Sequence, residues 1–268
     1  MILKGSGVAL TVLLSCSVFG FAQQSKIDKL TGNAKSGKAL YVRYCITCHG
    51  PHGDGTGENA PHLDPKPRDF TKATFKCRST PSGELPTDSD LYNTISRGIY
   101  NSAMPPWKPL TQQQRADLVA YIKTFSTRFQ EEPPSASVVI PPEPARSADS
   151  VHRGAELFQS LNCWSCHGKE GRGNGPSALT LTDAKGYPIL PFDLTRGSHF
   201  KCGGTSSDLF KDLTTGLDGT PMPSFSTALR PDQIWDVVHY IQTLNEESSR
   251  GFFHFVKSES RTHESRPQ

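Results

Sequence analysis

Two short segments of this chain hold the same reactive groups in the same order. Cys45-Ile46-Thr47-Cys48-His49-Gly50 returns as Cys163-Trp164-Ser165-Cys166-His167-Gly168, an offset of 118 residues. Two thiols separated by two residues and followed directly by an imidazole suit three chemistries. The four thiols could converge on one zinc ion or hold an iron–sulfur cluster. Alternatively, each Cys-x-x-Cys-His attaches a c-type haem: the cysteines add across the vinyl groups as thioethers, and the histidine coordinates iron. One helical turn spans the two vinyl positions, which accounts for the spacing. A thiolate site leaves the trailing His-Gly, present in both copies, without a role. The haem chemistry uses every residue of the motif.

A second pair of candidate ligands recurs with the first. Met104-Pro105 returns as Met222-Pro223, so each methionine lies 55 residues beyond its histidine, and the chain has only one other methionine, Met1. A thioether is a natural sixth ligand for haem iron, and His/Met ligation raises the reduction potential. Methionine also fills cores. A Met-Pro step in a glycine- and proline-rich loop is a poor core position, and the proline stiffens the loop that presents the sulfur. Gly53, Gly55 and Gly57 return as Gly171, Gly173 and Gly175, while Phe75-Lys76-Cys77 returns as Phe200-Lys201-Cys202 at an offset of 125. A seven-residue insertion in the second half is therefore compensated before the methionine.

These groups need elements to hold them. Ala39, Leu40, Tyr41 and Tyr44 form a helix face before the first cysteine pair, mirrored by Ala155, Leu157, Phe158 and Leu161. After the first methionine, Thr111 and Gln114 spell a capping box ahead of Leu118, Val119, Tyr121, Ile122 and Phe125. After the second, Pro231 opens a pattern through Ile234, Trp235, Val238, Ile241 and Leu244. The expected fold is mainly α: helix, long Gly/Pro loop, helix, in units over 34–130 and 151–246. A proline-rich connector over 131–150 joins them, and a tail over 247–268 with an apolar patch at Phe252, Phe253, Phe255 and Val256 follows. The apolar run through Ala22 after Lys4 reads as a secretory signal over 1–22, and Leu13-Leu14-Ser15-Cys16 offers a competing lipidation site at Cys16. Either places the protein in the periplasm or at the outer membrane face, with room for peripheral membrane association. Lys+Arg 29 against Asp+Glu 26, scattered along the chain, leaves no nucleic-acid footprint. Hydrophobic residues make up only 35% of the chain while Gly 23 and Pro 21 are abundant. Loops wrapped around large apolar groups explain that balance.

The pattern over roughly 34–244 resembles tandem class I cytochrome c domains, and more closely the exported two-haem cytochromes c of bacteria. The resemblance implies two haem c groups, attached through Cys45 and Cys48 and through Cys163 and Cys166. It implies His49 with Met104 and His167 with Met222 as the axial ligands. It also places Arg68-Asp69-Phe70-Thr71 and Phe192-Asp193-Leu194-Thr195 along the haem edges.

Cys77 and Cys202 remain, at equivalent places in the two repeats. In an oxidising compartment they suggest a disulfide between the halves. Separate buried thiols, or one thiolate replacing methionine on iron, are the alternatives. His52, His62, His152, His199, His239 and His254 have no repeat partner and read as surface or supporting groups, with His199 the alternative ligand to test. Two six-coordinate irons leave no open position, so the expected role is electron relay between redox proteins or respiratory complex subunits. A two-haem peroxidase or thiosulfate dehydrogenase-like enzyme, with one labile or Cys-ligated haem, is the competing reading.

Overall fold

The computed structural model describes residues 24–27, 29–196 and 199–245. The expected signal with Cys16, and the tail with its apolar patch, lie outside the described residues. An antiparallel hairpin, β1 (Gln24–Ile27) and β2 (Leu30–Asn33), leads into α1 (Ala34–Tyr44) and α2 (Ile46–His49). The first half continues with α3 (Asp88–Arg97), α4 (Gln112–Ile122) and the short α5 (Arg128–Glu131). The second half repeats the plan as α6 (Ala148–Ser160), α7 (Cys163–His167), α8 (Ser206–Thr215) and α9 over 231–245. The protein is mainly α, two similar helical units in tandem.

The helix, loop, helix expectation omits α3 and α8. Both start at capping boxes inside the stretches read as loop. Thr87 and Thr205 each accept the backbone N–H of the aspartate three residues on, at 3.1 Å, and Asp90 and Asp208 accept the threonine N–H in return. Leu91 and Ile95, and likewise Leu209 and Leu213, then stand four residues apart and are buried. The hairpin was likewise not expected. It is tied to α4 by the Gln113 side-chain amide, which donates to the Thr31 carbonyl, and by the Asn33 N–H, which donates to Asp117.

Within each half the first helix crosses the last at a glycine. A Cβ on Gly37 would lie 2.0 Å from the Asp117 carbonyl oxygen, and one on Gly154 would lie 2.0 Å from that of Asp236. Glycine inside a helix costs about 1 kcal/mol relative to alanine, and here it allows backbone to touch backbone. The crossings are lined by matched ring pairs, Tyr41 on Tyr121 and Phe158 on Tyr240, with centroids 5.2 and 5.4 Å apart. Each half has its own apolar core.

The halves meet where the repeat breaks. Ten positions separate Cys77 from the cap Thr87, but three separate Cys202 from Thr205. The first-half excess carries Arg78, fully buried, which donates to the carbonyls of Phe75, Pro81 and Thr215 and pairs with Asp218 at 2.9 Å. Ser82 Oγ and the Gly83 N–H also bond Asp218. A buried guanidinium is tolerable only with such complete pairing. The second-half excess forms a turn whose Lys185 reaches back to Asp69 at 3.2 Å and to the Asp54 carbonyl at 2.8 Å. Each insertion thus grips the other half. Cys77 and Cys202 lie between them, joined in a disulfide with an S–S distance of 2.07 Å.

The connector has no regular structure over 133–147. It is laid against the first half by the Val138 N–H, which donates to the Ser79 carbonyl, and by Ser135 Oγ, which donates to Glu84. Helix α6 starts at Ala148, inside the segment read as connector, because Ser147 and Ser150 cap each other there.

Candidate haem sites

Each half encloses one large apolar cavity, of about 280 Å³ in the first and 240 Å³ in the second. A single water occupies roughly 10–15 Å³ on this measure, and protein interiors do not keep voids many waters wide. The linings of both are matched. Cys45, Cys48, His49 and Met104 line the first cavity, and Cys163, Cys166, His167 and Met222 line the second. The two cysteine pairs thus face separate spaces, which disposes of a single four-thiolate site. No cluster of three or more metal-binding side chains occurs among the described residues.

The cysteines and histidines are positioned by α2 and α7, which follow directly on α1 and α6. His49 Nδ1 lies 3.1 Å from the Arg68 carbonyl and His167 Nδ1 lies 3.0 Å from the Phe192 carbonyl. A carbonyl only accepts, so each Nδ1 carries the proton and each Nε2 keeps its lone pair, the arrangement of a metal-ligating histidine. Burial pushes both imidazoles below the usual histidine range, keeping them neutral. Phe70 stacks on His49 at 4.4 Å and helps fix the ring plane. Burial also raises the Cys45 and Cys163 thiols to about 12 and about 11. They are neutral thiols facing an apolar space, suited to thioether formation rather than to binding a cation.

The methionine loops share one construction. The Met104 carbonyl accepts from the Ile99 N–H and the Met222 carbonyl from the Leu217 N–H, both at 3.1 Å. The methionine N–H groups donate to Ser102 Oγ and Thr220 Oγ1, both at 3.2 Å. Above each loop the preceding helix ends at a glycine with positive φ, +71° at Gly98 and +69° at Gly216. A Cβ at Gly98 would lie 2.6 Å from the Met104 carbonyl oxygen. These residues fit a haem: a large apolar cavity lined together by two thiols, a lone-pair nitrogen and a methionine.

Two profiles match the chain in series. The family described as cytochrome c oxidase, cbb3-type, subunit III matches residues 32–122, and cytochrome c matches residues 151–245. Among solved structures, a chain of the Kuenenia stuttgartiensis reducing HAO-like protein complex is 45% identical, with a TM-score of 0.76, over 78% of this chain and 96% of that one. The chain is a tandem cytochrome c. Among its relatives, the cytochrome bc1 complex cytochrome c subunit of Corynebacterium diphtheriae is 26% identical over 93% of this cytochrome and 78% of the relative. The cbb3-type oxidase subunit CcoP of an Azospirillum species is 25% identical over 56% of the cytochrome and 54% of the relative. The cytochrome thus spans about half of that longer subunit. No helix among the described residues is long and apolar enough to cross a membrane.

Sequence reading of the site missed several groups. Lys76 lines the first cavity, beside the expected Arg68, and Lys201 lines the second. Burial first, then the charges of Arg68 and Lys201, push the Lys76 ammonium down to about 8. The repeated Phe-Lys-Cys is the signal in the sequence that marks both lysines. Asp212 lines the second cavity from α8, an element not foreseen at all. His199 borders a cleft between the halves rather than either cavity, with its ring 5.5 Å from Tyr100. His239 is not at the surface: it is buried between α6 and α9, with Nδ1 2.9 Å from Ser150 Oγ. With the Cys77 and Cys202 sulfurs bonded to each other, neither is a thiolate available to iron.

Proposed function

We propose that this cytochrome carries two haem c groups and relays single electrons between redox proteins outside the cytoplasm, as a subunit of a respiratory or other redox complex. In this reading Cys45 and Cys48 anchor the first group and Cys163 and Cys166 the second. His49 with Met104, and His167 with Met222, are the axial ligands. Each bound haem supplies a one-electron couple. The protein's part is to keep both axial positions filled, exclude water with apolar walls, and hold the two sites in one relative orientation. His49 and His167 present neutral Nε2 atoms because their Nδ1 protons are held by carbonyls. Pro105 and Pro223 stiffen the loops that present the sulfurs, and a filled sixth position disfavours substrate binding.

The observation that carries the reading is the pairing of two cavities, each lined by both a Cys-x-x-Cys-His and the methionine 55 residues on. The disulfide and the two insertions, clamping the halves beside both cavities, suit a short wire rather than two independent carriers. Relatives named as subunits of the bc1 complex and cbb3 oxidase, and a solved relative from a reducing HAO-like complex, support a complex-bound role. Export, through a cleaved signal over 1–22 or a lipid on Cys16, is part of the proposal. So is the division into units over 34–130 and 151–246.

Expression with the c-type maturation machinery tests it. Two covalent haems per chain, released as peptides spanning 45–49 and 163–167, and slow or absent carbon monoxide binding by the reduced protein are expected. One haem per chain, or rapid carbon monoxide binding at one iron, would overturn the reading and favour the two-haem enzyme.

A further inference from the structure

The two cavities differ in a titratable group at one matched position of α3 and α8. Asp212 of α8 stands 118 residues after Thr94 of α3, and each lines the cavity of its own half. The first wall thus carries a neutral hydroxyl where the second carries a carboxyl group. Asp212 Oδ1 is closed off from solvent and has no hydrogen-bond partner. An ionised carboxylate left this way in a low-dielectric site is strongly disfavoured.

Its charged neighbours do not discharge it. From its own helix, Lys211 is bonded to Asp208 at 3.0 Å rather than to Asp212, and Asp208 opposes ionisation by its like charge. From α3, Arg97 acts on Asp212 through space, and its Nε is itself buried without a partner. From the first-half insertion, Arg78 is committed to Asp218 and to three carbonyls. Lys201 and the imidazole of His167 border the same cavity. Burial first, with Asp208 adding, raises the Asp212 carboxyl to about 7 against the opposing pull of Lys211, Arg97 and Arg78. Asp212 as a whole residue is only half-buried, so its carboxyl is not sealed from solvent. The cleft between the halves is lined by Arg97, Lys201 and Asp208, one helical turn before Asp212.

We propose that Asp212 couples electron transfer at the second site to proton uptake, a coupling that the first site, with Thr94 at the matched position, lacks there. The inference rests on the two-haem reading above. When a redox partner delivers one electron to the second site, one solvent proton would convert the Asp212 carboxylate to the carboxylic acid. The added negative charge is thereby cancelled locally, and re-oxidation returns the proton to solvent. Thr94 cannot do this, since its hydroxyl does not titrate in this range.

The experiment is a spectroelectrochemical titration of the two-haem protein at several pH values either side of neutrality. Below about pH 7 one of the two potentials is expected to fall with rising pH, approaching roughly 59 mV for each tenfold change in proton concentration for a one-electron couple, while the other stays flat until Lys76 titrates near 8. Asp212→Asn should flatten the sloping potential and remove a protonated-carboxyl band from the redox-difference infrared spectrum. Thr94→Asp should confer a slope on the other haem, and it keeps the test open should the asparagine variant fold poorly. Two haems with flat potentials in the native protein, or a slope that survives Asp212→Asn, would overturn this proposal alone. Fewer than two haems per chain would overturn the functional reading and this inference with it.

Discussion

Replacing Gly98 with alanine tests how the chain holds the methionine proposed as a ligand. Gly98 ends α3 with φ of +71°, and its N–H still donates to the Thr94 carbonyl. The next residue, Ile99, donates to the Met104 carbonyl, so the helix end and the ligand loop are one hydrogen-bonded unit. An alanine Cβ would sit 2.6 Å from the Met104 carbonyl oxygen and 2.7 Å from the Pro105 carbonyl carbon. Left-handed backbone costs a non-glycine residue about 1–2 kcal/mol, and overpacking costs a further ~1–3 kcal/mol. Backbone atoms cannot rotate out of the way as a side chain could, so the loop itself must move. The sum, about 2–5 kcal/mol at ~1.4 kcal/mol per tenfold, shifts the balance between bound and released sulfur by roughly thirty-fold to several thousand-fold. The repeat supplies an internal duplicate. At Gly216 a Cβ would lie 2.6 Å from the Ser224 nitrogen, with φ of +69°. In the haem-loaded Gly98→Ala and Gly216→Ala variants, the sulfur-to-ferric-iron charge-transfer band of the affected haem should weaken, and carbon monoxide should bind it when reduced. An intact band with an unchanged thermal midpoint in both variants would refute the reasoning.

Further expectations concern the crossings, the clamp and pH. Gly154→Ala should destabilise by up to about 2 kcal/mol, because overpacking against the Asp236 carbonyl outweighs the ~1 kcal/mol helix gain of alanine; a rise in denaturant midpoint would contradict this. Breaking the Cys77–Cys202 bond, which closes a loop of 125 residues, by double serine substitution should cost up to about 5 kcal/mol by chain entropy. A denaturation curve indistinguishable from that of the native protein would contradict that. The Asp212 carboxyl is raised in the folded state from 3.8 to about 7. The fold therefore binds that proton more tightly than the unfolded chain does. Its contribution to stability is full below about 3.8 and is lost as pH rises through about 7. Asp212→Asn should accordingly stabilise the protein at mildly alkaline pH with little effect in acid, measured as denaturant midpoint against pH.

Much of the site was legible because covalent and coordination chemistry leave rigid spacings. Cys-x-x-Cys-His and the methionine 55 residues on needed no packing information, and duplication of the whole set excluded coincidence. The capping boxes at Thr87 and Thr205 were equally visible, but short helices between glycine-rich loops have too little periodicity to stand out. Their apolar faces make sense only once there is a cavity for them to line. Gly37 and Gly154 gave no signal of their own, since a glycine inside a helix looks like a defect until the second helix is seen against it.

The chain's order of residues determined which groups could bind haem, how many such groups there are, and that the protein is a helical unit used twice. These are local or periodic properties, and duplication preserves them. Tertiary structure alone decided what the non-duplicated residues do. The extra residues around Arg78 and Lys185 become reciprocal grips on the opposite half, and Cys77 meets Cys202 across a separation of 125 positions. Asp212 acquires significance because folding shuts one of its oxygens away from water beside a cavity whose twin carries threonine. Burial and long-range proximity arise between segments far apart in the chain, so no local pattern can encode them.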